Sequence, residues 1–464
     1  MEEQEKKKEI NRRDFLKIVG ISAATTTVAL AGCAPKNNPV TGDLAAQGEI
    51  PTDKMTYRTN PKTGEKVSIL GYGCMRWPTL PAPDGNGNVI NQEEVNRLID
   101  YAIEHGVNYF DTSPVYVQGW SEKSTGIALK RHPREKFLIA TKLSNFNNFS
   151  REAGLKMYRD SQKALRTDYF DYYLLHAIGT SGFEGFEKRY INNGLLDFLL
   201  EEREAGRIRN LGFSFHGRKE VFDQFMELHE KYHWDFVQIE MNYVDWEHAK
   251  VPENVNADYL YEELAKRNIP ATIMEPLLGG RLAKLPDAIA EKMKEREPQM
   301  SIASWAFRFC GSYPNILTVL SGMSSMDPLI ENVETFSHFK PLNDEEKAFL
   351  MEMANLMEDY PTVPCTACSY CMPCPYGIDI PTIFRHYNDH VNSGEIAQSC
   401  EQDHFQRLKR RYLVSYDRAV ETVRQADHCI GCGQCRPKCP QSIDIPRALR
   451  HIDRYVEKLK RETL

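Results

Sequence analysis

The 464-residue chain lacks an excess of basic residues. Its 58 lysines and arginines stand against 65 aspartates and glutamates, which gives a formal net charge of -7. A protein that binds nucleic-acid phosphates needs a basic surface. The strongest basic run, RLKRR at residues 407–411, is typical of a solvated helix face. We therefore expect no nucleic-acid partner.

The chain also lacks an even spread of cysteines. Eight of its twelve cysteines lie in two C-terminal runs, whereas Cys33, Cys74, Cys310 and Cys400 stand alone. Disulfide scaffolds distribute their cysteines through the fold, so the pattern does not indicate one. With 41% hydrophobic and 27% charged residues, the composition is that of a soluble globular protein long enough for two domains.

Residues 1–33 are typical of an export signal. NRRDFLK at residues 11–17 resembles a twin-arginine motif, and the following apolar run is too short to span a bilayer as a mature helix. LAGC, which ends at Cys33, resembles a lipoprotein cleavage box. A cytosolic amphipathic helix is the alternative. We expect twin-arginine export and a lipid anchor at Cys33, on the periplasmic side of the inner membrane or in the cell envelope, with residues 34–54 as a linker.

Between residues 55 and 345 the chain alternates short β-rich runs with amphipathic helical stretches. The runs are KVSILGYG, VNYFD, KFLIATK, DYFDYYLLHA, IRNLGFSFH, DFVQIEMNY, IPATIMEPL and ILTVLSGM, in chain order. Helix signals lie between them, such as the candidate capping box of Asn91 and Glu94. Eight such units predict an α/β fold, the parallel (β/α)8 TIM barrel, with a doubly wound sheet as the alternative.

Polar residues stand at the ends of several predicted strands, where the functional groups of such barrels gather. They are Asp111, Lys142, His176, Ser214 and Gln238. A single buried histidine or lysine is more often structural. Several at equivalent strand ends indicate a site.

Three of these residues lie in segments that resemble the aldo-keto reductase family. FDTSPVYVQGWSE at residues 110–122, ATK ending at Lys142 and LLH ending at His176 match the family's catalytic tetrad in order. The resemblance implies that Tyr116 is the acid/base and that Lys142, held by Asp111, lowers the pKa of Tyr116. It implies that His176 orients a substrate carbonyl.

The resemblance also implies a nicotinamide cofactor, NADP or NAD. It places Ser214 and Gln238 on the carboxamide. The other implied contacts follow the ribose and pyrophosphate (Gly73, Cys74, Met75, Pro276, Leu277, Gly280) and the adenosine end (Ser324, Glu331, Asn332). Phe215, Met274 and Pro328 depart from residues common in the family, and the last puts the NADP preference in doubt.

The two cysteine runs indicate iron–sulfur clusters. In the second, Cys429, Cys432, Cys435 and Cys439 followed by proline have the C-x2-C-x2-C-x3-C-P spacing of bacterial ferredoxins. The first run consists of Cys365, Cys368, Cys371 and Cys374, with one residue fewer before its last cysteine. We therefore predict two [4Fe–4S] clusters, with a zinc site as the alternative.

The ligands are expected to cross between the runs. In two-cluster ferredoxins the fourth cysteine of each run binds the other cluster. Cys439 would then join the first three cysteines of the first run, and Cys374 would join those of the second. Each run is followed by IDIP and a similar helical segment, so residues 346–464 are predicted to form a helix-rich two-cluster ferredoxin-like domain. The whole arrangement resembles the ferredoxin-fused aldo-keto reductases.

Together the two halves predict an exported oxidoreductase that couples NAD(P)-linked carbonyl or alcohol chemistry to electron transfer through its clusters. A redox partner protein or a quinone-linked carrier would exchange the electrons. The alternative is a non-catalytic electron-transfer or ligand-binding protein with a degenerate barrel, in which the clusters are structural.

Overall fold

A computed structural model describes residues 53–83, 87–249 and 255–464. The predicted export signal at residues 1–33, including Cys33, and nearly all of the predicted linker lie outside the described residues. No helix in these described ranges is long and apolar enough to cross a membrane.

Eight parallel strands close into a barrel in which each strand pairs with the next along the chain. The last strand pairs with the first through Val319 and Leu70, so the barrel prediction is confirmed and the doubly wound alternative is wrong. The strands are β1 Leu70–Gly73, β2 Tyr109–Asp111, β3 Leu138–Leu143, β4 Phe170–Ile178, β5 Ile208–Phe215, β6 Phe236–Glu240, β7 Ala271–Met274 and β8 Ile316–Ser321.

Helices surround this barrel. They are α1 Gln92–Glu104, α2 Ser121–Leu129, α3 Arg151–Leu165, α4 Gly182–Phe186, α5 Leu195–Glu204, α6 Lys219–Glu227, α7 His229–Tyr232, α8 Ala257–Lys266, α9 Asp287–Arg296, α10 Ile302–Gly311, α11 Met326–Ser337 and α12 Asp344–Glu358. Asn91 caps α1 by accepting from the Glu94 amide at 3.2 Å, but the Glu94 carboxylate pairs with Arg97. Only the asparagine half of the predicted capping box is therefore formed.

A short hairpin, Tyr57–Thr59 with Lys66–Ser68, closes the N-terminal end of the barrel. Val67 from this hairpin is fully buried among the residues that fill the barrel interior. Asn60 in its turn donates to the Tyr172 hydroxyl at 2.9 Å. The run KVSILGYG, predicted as one strand, thus divides between the hairpin and β1. A second hairpin joins Thr79–Pro81 to Asn88–Ile90.

The cysteine-rich region has a separate hydrophobic core built on α13 Ile380–Asn392, α14 Phe405–Ala419 and α15 Ile445–Arg461. Asp379 and Asp444 cap α13 and α15 with their side chains, and a proline follows in the first turn of each. The repeated IDIP segment therefore begins a helix after both cysteine runs, as the repeat predicts. Both cores lie in one compact unit, Ile50–Leu464.

The boundary between the two cores lies later than residue 345, where the sequence analysis placed it. Leu350, Met353 and Ala354 of α12 pack in the barrel core, and the second core begins at Val363. The apolar face of α12 is covered by the barrel, so this helix belongs with it.

A buried carboxylate joins three elements of the barrel wall. Glu122 of α2 is 4% exposed and accepts hydrogen bonds from the Thr141 hydroxyl of β3 at 2.6 Å and the Ser161 hydroxyl of α3 at 3.1 Å. Burial disfavours the ionised form and raises the pKa of Glu122 to about 7. The folded protein therefore holds a proton here that the unfolded chain releases at lower pH.

This proton makes stability depend on pH. Between the ordinary value of 4.5 and about 7 the native state binds more protons than the unfolded state, so the free energy of unfolding falls as pH rises through this window. In the wild type this decrease in the free energy of unfolding should amount to about 3 kcal/mol. Glu122→Gln stays neutral, so we expect the decrease to be absent in this variant. Apparent melting temperatures of both proteins across the window measure it. Parallel curves for the two would contradict the expectation.

Candidate functional site

A buried ion pair lies at the C-terminal end of the barrel. Lys142 of β3, with no exposed side-chain surface, donates to Asp111 Oδ1 of β2 at 2.5 Å and to the Thr112 carbonyl at 3.0 Å. Gln238 of β6 donates to the other carboxylate oxygen of Asp111 at 3.1 Å. Because a buried charge is tolerated only when paired and hydrogen-bonded, these contacts hold the lysine ammonium in place.

His176 of β4 lies beside this pair as a neutral imidazole. Burial, followed by the charges of Lys142 and Arg189, holds the pKa of His176 well below its usual range. Its Nδ1 is 2.5 Å from the Ser144 hydroxyl, and the ring lies 5.8 Å from the Tyr116 ring at nearly a right angle. The Nε2 atom is thus directed into the barrel mouth.

Tyr116 begins a short turn, Tyr116–Gly119, after β2, in which Val117 and Gln118 have left-handed backbone conformations. The Lys142 ammonium lies 5.2 Å from the centre of its ring. Groups other than Lys142 have the largest effects on the pKa of Tyr116 in this structure. Burial raises the pKa of Tyr116 well above its ordinary value, and neighbouring Tyr370 and Asp111 raise it further. Tyr116 is therefore held in its protonated form.

Tyr370, from the first cysteine run, is a further residue of this site that the sequence did not predict. Its hydroxyl lies 3.3 Å from Nε2 of His176, and it lies close enough to the Tyr116 hydroxyl for each tyrosine to shift the pKa of the other. The only sequence signal was a large aromatic residue between two cysteines, Cys368 and Cys371. Nothing in the spacing of that run relates Tyr370 to strands more than 190 residues earlier.

The residues predicted to contact the nicotinamide carboxamide are both buried and bonded inside the barrel. Ser214 accepts from the Ala177 amide at 2.7 Å, and Gln238 donates to Asp111. At the predicted adenosine end, buried Asn332 donates to Ser321 at 3.0 Å. Exposed Ser324 donates to the Arg76 carbonyl at 2.6 Å, and Glu331 is half-buried.

The predicted ribose and pyrophosphate contacts divide between two loops at the ends of β1 and β7. Cys74 is fully buried and Pro276 is buried, whereas Gly73, Met75 and Leu277 are half-buried and Gly280 is exposed. The first cysteine run covers the space between these loops. Arg76 donates to the Thr366 carbonyl at 2.5 Å, and a Cβ at Gly279 would lie 2.3 Å from the Thr366 Cα.

Four of the predicted cluster ligands line one small cavity. They are Cys365, Cys368 and Cys371 from the first run and Cys439 from the second, with Ile380, Phe384 and Ile443 among the apolar residues around them. This is the crossed grouping that the ferredoxin spacing implied. Four thiols in an apolar cage are the donor set of a [4Fe–4S] cluster.

The other four predicted cluster ligands, Cys374, Cys429, Cys432 and Cys435, also lie close together. The pKa of the Cys435 thiol is raised by burial and then by its neighbours Cys429, Cys432 and Cys374. No cysteine in the described ranges forms a disulfide.

The second cysteine run also contacts the barrel mouth. Gln441 donates to the Glu240 carboxylate at the end of β6, at 2.6 Å. Burial raises the pKa of Glu240 well above its ordinary value, and the nearby carboxylates of Asp245 and Glu275 raise it further. Both cysteine runs therefore lie against the functional end of the barrel.

Two family profiles match this chain. The profile described as "Aldo/keto reductase family" matches residues 69–354, more than half of the chain, and the "4Fe-4S dicluster domain" profile matches residues 364–443. Protein tas of Escherichia coli strain K12 is 30% identical over 188 residues, which cover 34% of this chain and 52% of that protein. The chain thus spans about half the length of this relative.

Longer matches have lower identity. L-galactose dehydrogenase of Arabidopsis thaliana is 24% identical over 323 residues, or 66% of this chain and 95% of that protein.

Solved structures give the same fold. An aldo-keto reductase of Bacillus halodurans in its holo form has a TM-score of 0.51 and 22% identity, covering 64% of this chain and 96% of its own. An aldo-keto reductase of Klebsiella pneumoniae in complex with NADPH has a TM-score of 0.50 and 18% identity, covering 65% and 95%. At these identities the likeness shows a shared barrel fold. The profile match and the closed barrel show that this chain belongs to the aldo/keto reductase family of oxidoreductases and carries a 4Fe-4S dicluster domain.

Proposed function

We propose that this protein interconverts a small carbonyl compound and its alcohol with NADP or NAD, and exchanges electrons through two [4Fe–4S] clusters. One observation carries the proposal. A residue between two cluster cysteines, Tyr370, contacts both Tyr116 and His176 of the tetrad. The redox-active groups of the two domains would then lie side by side.

The tetrad residues suit proton transfer to a carbonyl oxygen. Reduction of a carbonyl by hydride leaves negative charge on oxygen, which needs a proton donor within hydrogen-bond reach. Tyr116 is held protonated, and neutral His176 directs one ring nitrogen to the same place. Lys142, fixed by Asp111, supplies positive charge below them. Tyr116 would give its proton as the charge on oxygen develops.

The nicotinamide fits part of this site. Ser214 and Gln238 would hold its carboxamide, and the bound cofactor would supply the hydride. The stretch predicted for its ribose and pyrophosphate is where Thr366 meets Arg76 and Gly279. The nucleotide and the first cysteine run therefore compete for the same space, and nucleotide binding would require this run to move outward.

The two cysteine groups would each hold one cluster, and clusters supply one-electron transfer. In the direction of alcohol oxidation the alcohol would give a hydride to NADP+ or NAD+, and reoxidation of the reduced nicotinamide would release a proton and pass its two electrons singly to the two clusters. The Cys435 thiol contributes to the raised pKa of the Cys371 thiol, so one cysteine of each group lies near the other. A redox partner protein or a quinone-linked carrier would take electrons from the second group, where Cys432 is exposed.

Export and lipid anchoring complete the proposal. The support is the sequence of residues 11–17 and the cysteine at position 33, since twin-arginine export carries folded proteins with their cofactors already assembled. The protein would then act at the periplasmic membrane face or in the cell envelope.

A non-catalytic electron-transfer or ligand-binding role is the second candidate. The observation that favours it is the same Tyr370 contact, because a side chain already occupies the hydrogen-bonding groups of the tetrad. A measurement of nicotinamide-dependent carbonyl reduction distinguishes the enzymatic role from the non-catalytic one.

Removal of the Tyr116 hydroxyl tests the enzymatic function. In anaerobically purified full-length protein, Tyr116→Phe should lower kcat for NADPH-dependent carbonyl reduction about 100-fold, because the proton donor is lost. NADPH binding, measured by fluorescence titration, should not change. Tyr173→Phe is the matched control, since the buried Tyr173 hydroxyl has no hydrogen-bond partner. An undiminished rate in Tyr116→Phe would refute the tetrad assignment.

Paired cysteine variants test the crossed ligands. Cys365→Ala with Cys439→Ala should remove one cluster and leave about four iron atoms per chain, because both cysteines bind the same cluster. Cys429→Ala with Cys439→Ala should remove both clusters. Uncrossed ligands predict the reverse for the two pairs. Iron analysis and EPR of the reduced proteins measure the outcome, with Cys400→Ala as the control outside the runs.

Cell fractionation tests export. We expect the wild type in the membrane fraction with an acylated Cys33, because the anchor retains it. Cys33→Ser should lose the acyl label, and Arg12→Lys with Arg13→Lys should leave an unprocessed precursor in the cytoplasm. Recovery of wild-type protein from the soluble cytosolic fraction, with Cys33 unmodified, would overturn the proposal.

A further inference from the structure

Tyr370 uses the hydrogen-bonding capacity that a substrate would need. Nδ1 of His176 is taken by Ser144, so Nε2 is the ring nitrogen left for a ligand, and it contacts the Tyr370 hydroxyl. The Tyr370 hydroxyl also lies beside the Tyr116 hydroxyl, whose pKa it raises. A carbonyl oxygen cannot contact these two groups while Tyr370 does.

The space around the Tyr370 ring is aromatic. Its centroid lies 6.4 Å from both the Phe146 ring and the His176 ring, and Phe146 lies 5.0 Å from His176. The Arg189 guanidinium covers Phe146 at 4.8 Å. If Tyr370 withdraws, the space left behind has the shape of a phenol, with apolar walls and its polar atoms at one end.

We infer that the Tyr370 hydroxyl occupies the position of the substrate's reacting oxygen, and that an aryl carbonyl or its alcohol enters the site in exchange for this side chain. The inference rests on the proposed function for the reaction itself. The carbonyl carbon receives the hydride of NADPH and the oxygen receives the proton of Tyr116, so the aldehyde is reduced to an alcohol as NADPH is oxidised to NADP+.

The contacts between the domains permit such an exchange. Beyond Tyr370, they include hydrogen bonds from Arg76 to the Thr366 carbonyl, from Arg281 to the Thr362 hydroxyl at 2.8 Å, and from Gln441 to Glu240. Each domain keeps its own hydrophobic core. Polar contacts of this kind are typical of interfaces that open and close, because water replaces the lost hydrogen bonds.

The position of Tyr370 in the chain links this exchange to the first cluster. Cys368 and Cys371 flank it closely and line the same cavity, so a cluster bound there would fix the backbone on both sides of the side chain. The segment would then move as a unit. Substrate entry and nucleotide entry would both require that movement, since Thr366 belongs to the same run.

The test uses the full-length protein with its clusters and p-cresol, the tyrosine side chain as a free molecule. In Tyr370→Ala we expect p-cresol to bind at least about tenfold more tightly than in the wild type, a gain of about 1.4 kcal/mol. Tyr376→Ala, in the same run but 46% exposed, is the matched control and should resemble the wild type. Calorimetric titration measures binding, and adding Tyr116→Phe should weaken it.

Benzaldehyde reduction with NADPH gives the second readout. We expect kcat/KM to rise about tenfold in Tyr370→Ala. Tyr370→Phe keeps the ring and the local packing, and it should lower KM with kcat unchanged. This variant replaces Tyr370→Ala in the test if the alanine variant loses its clusters. Iron content and absorbance verify cluster integrity in each variant.

The outcomes separate the two proposals. Equal p-cresol binding by Tyr370→Ala and the wild type would overturn the inference, as would a lower kcat with unchanged KM in Tyr370→Phe, which would make the hydroxyl part of catalysis. Tight p-cresol binding without reduction of any carbonyl by the wild type or the variants would support the exchange and refute the proposed reaction.

Discussion

The functional end of the barrel depends on the buried contact between Lys142 and Asp111. Neither side chain has more than 4% exposed surface, so each charge needs the other and further hydrogen bonds to offset the loss of water. The Thr112 carbonyl and the Gln238 amide provide them. This network joins β2, β3 and β6 and lies directly below Tyr116 and His176 in the barrel mouth.

Residues of both domains contact one another at the barrel mouth, above this network. Tyr370 and Thr366 of the first cysteine run reach the tetrad and the predicted nucleotide groove, and Gln441 of the second run reaches Glu240. The cluster region is therefore more than an appendage attached through a linker. A ligand that contacted Nε2 of His176 would have to displace the Tyr370 hydroxyl from it.

Protonation at the mouth follows from the same closure. Burial raises the pKa of Tyr116 and Glu240 and lowers that of His176, so all three favour their neutral forms. Residue spacing suggested the opposite direction for Tyr116, because it revealed a lysine neighbour but not the burial of the tyrosine, which has the largest effect on its pKa. A neutral, enclosed site is suited to donating a proton to a developing oxyanion.

The sequence alone determined the barrel, the order of Asp111, Tyr116, Lys142 and His176, and the helices after both IDIP segments. Those features follow from local periodicity, capping residues and motif spacing, which are properties of neighbouring residues. The tertiary structure alone decided that α12 packs on the barrel and that Tyr370 contacts the tetrad. Each of these depends on which distant surfaces pack together, and no local pattern encodes such a contact.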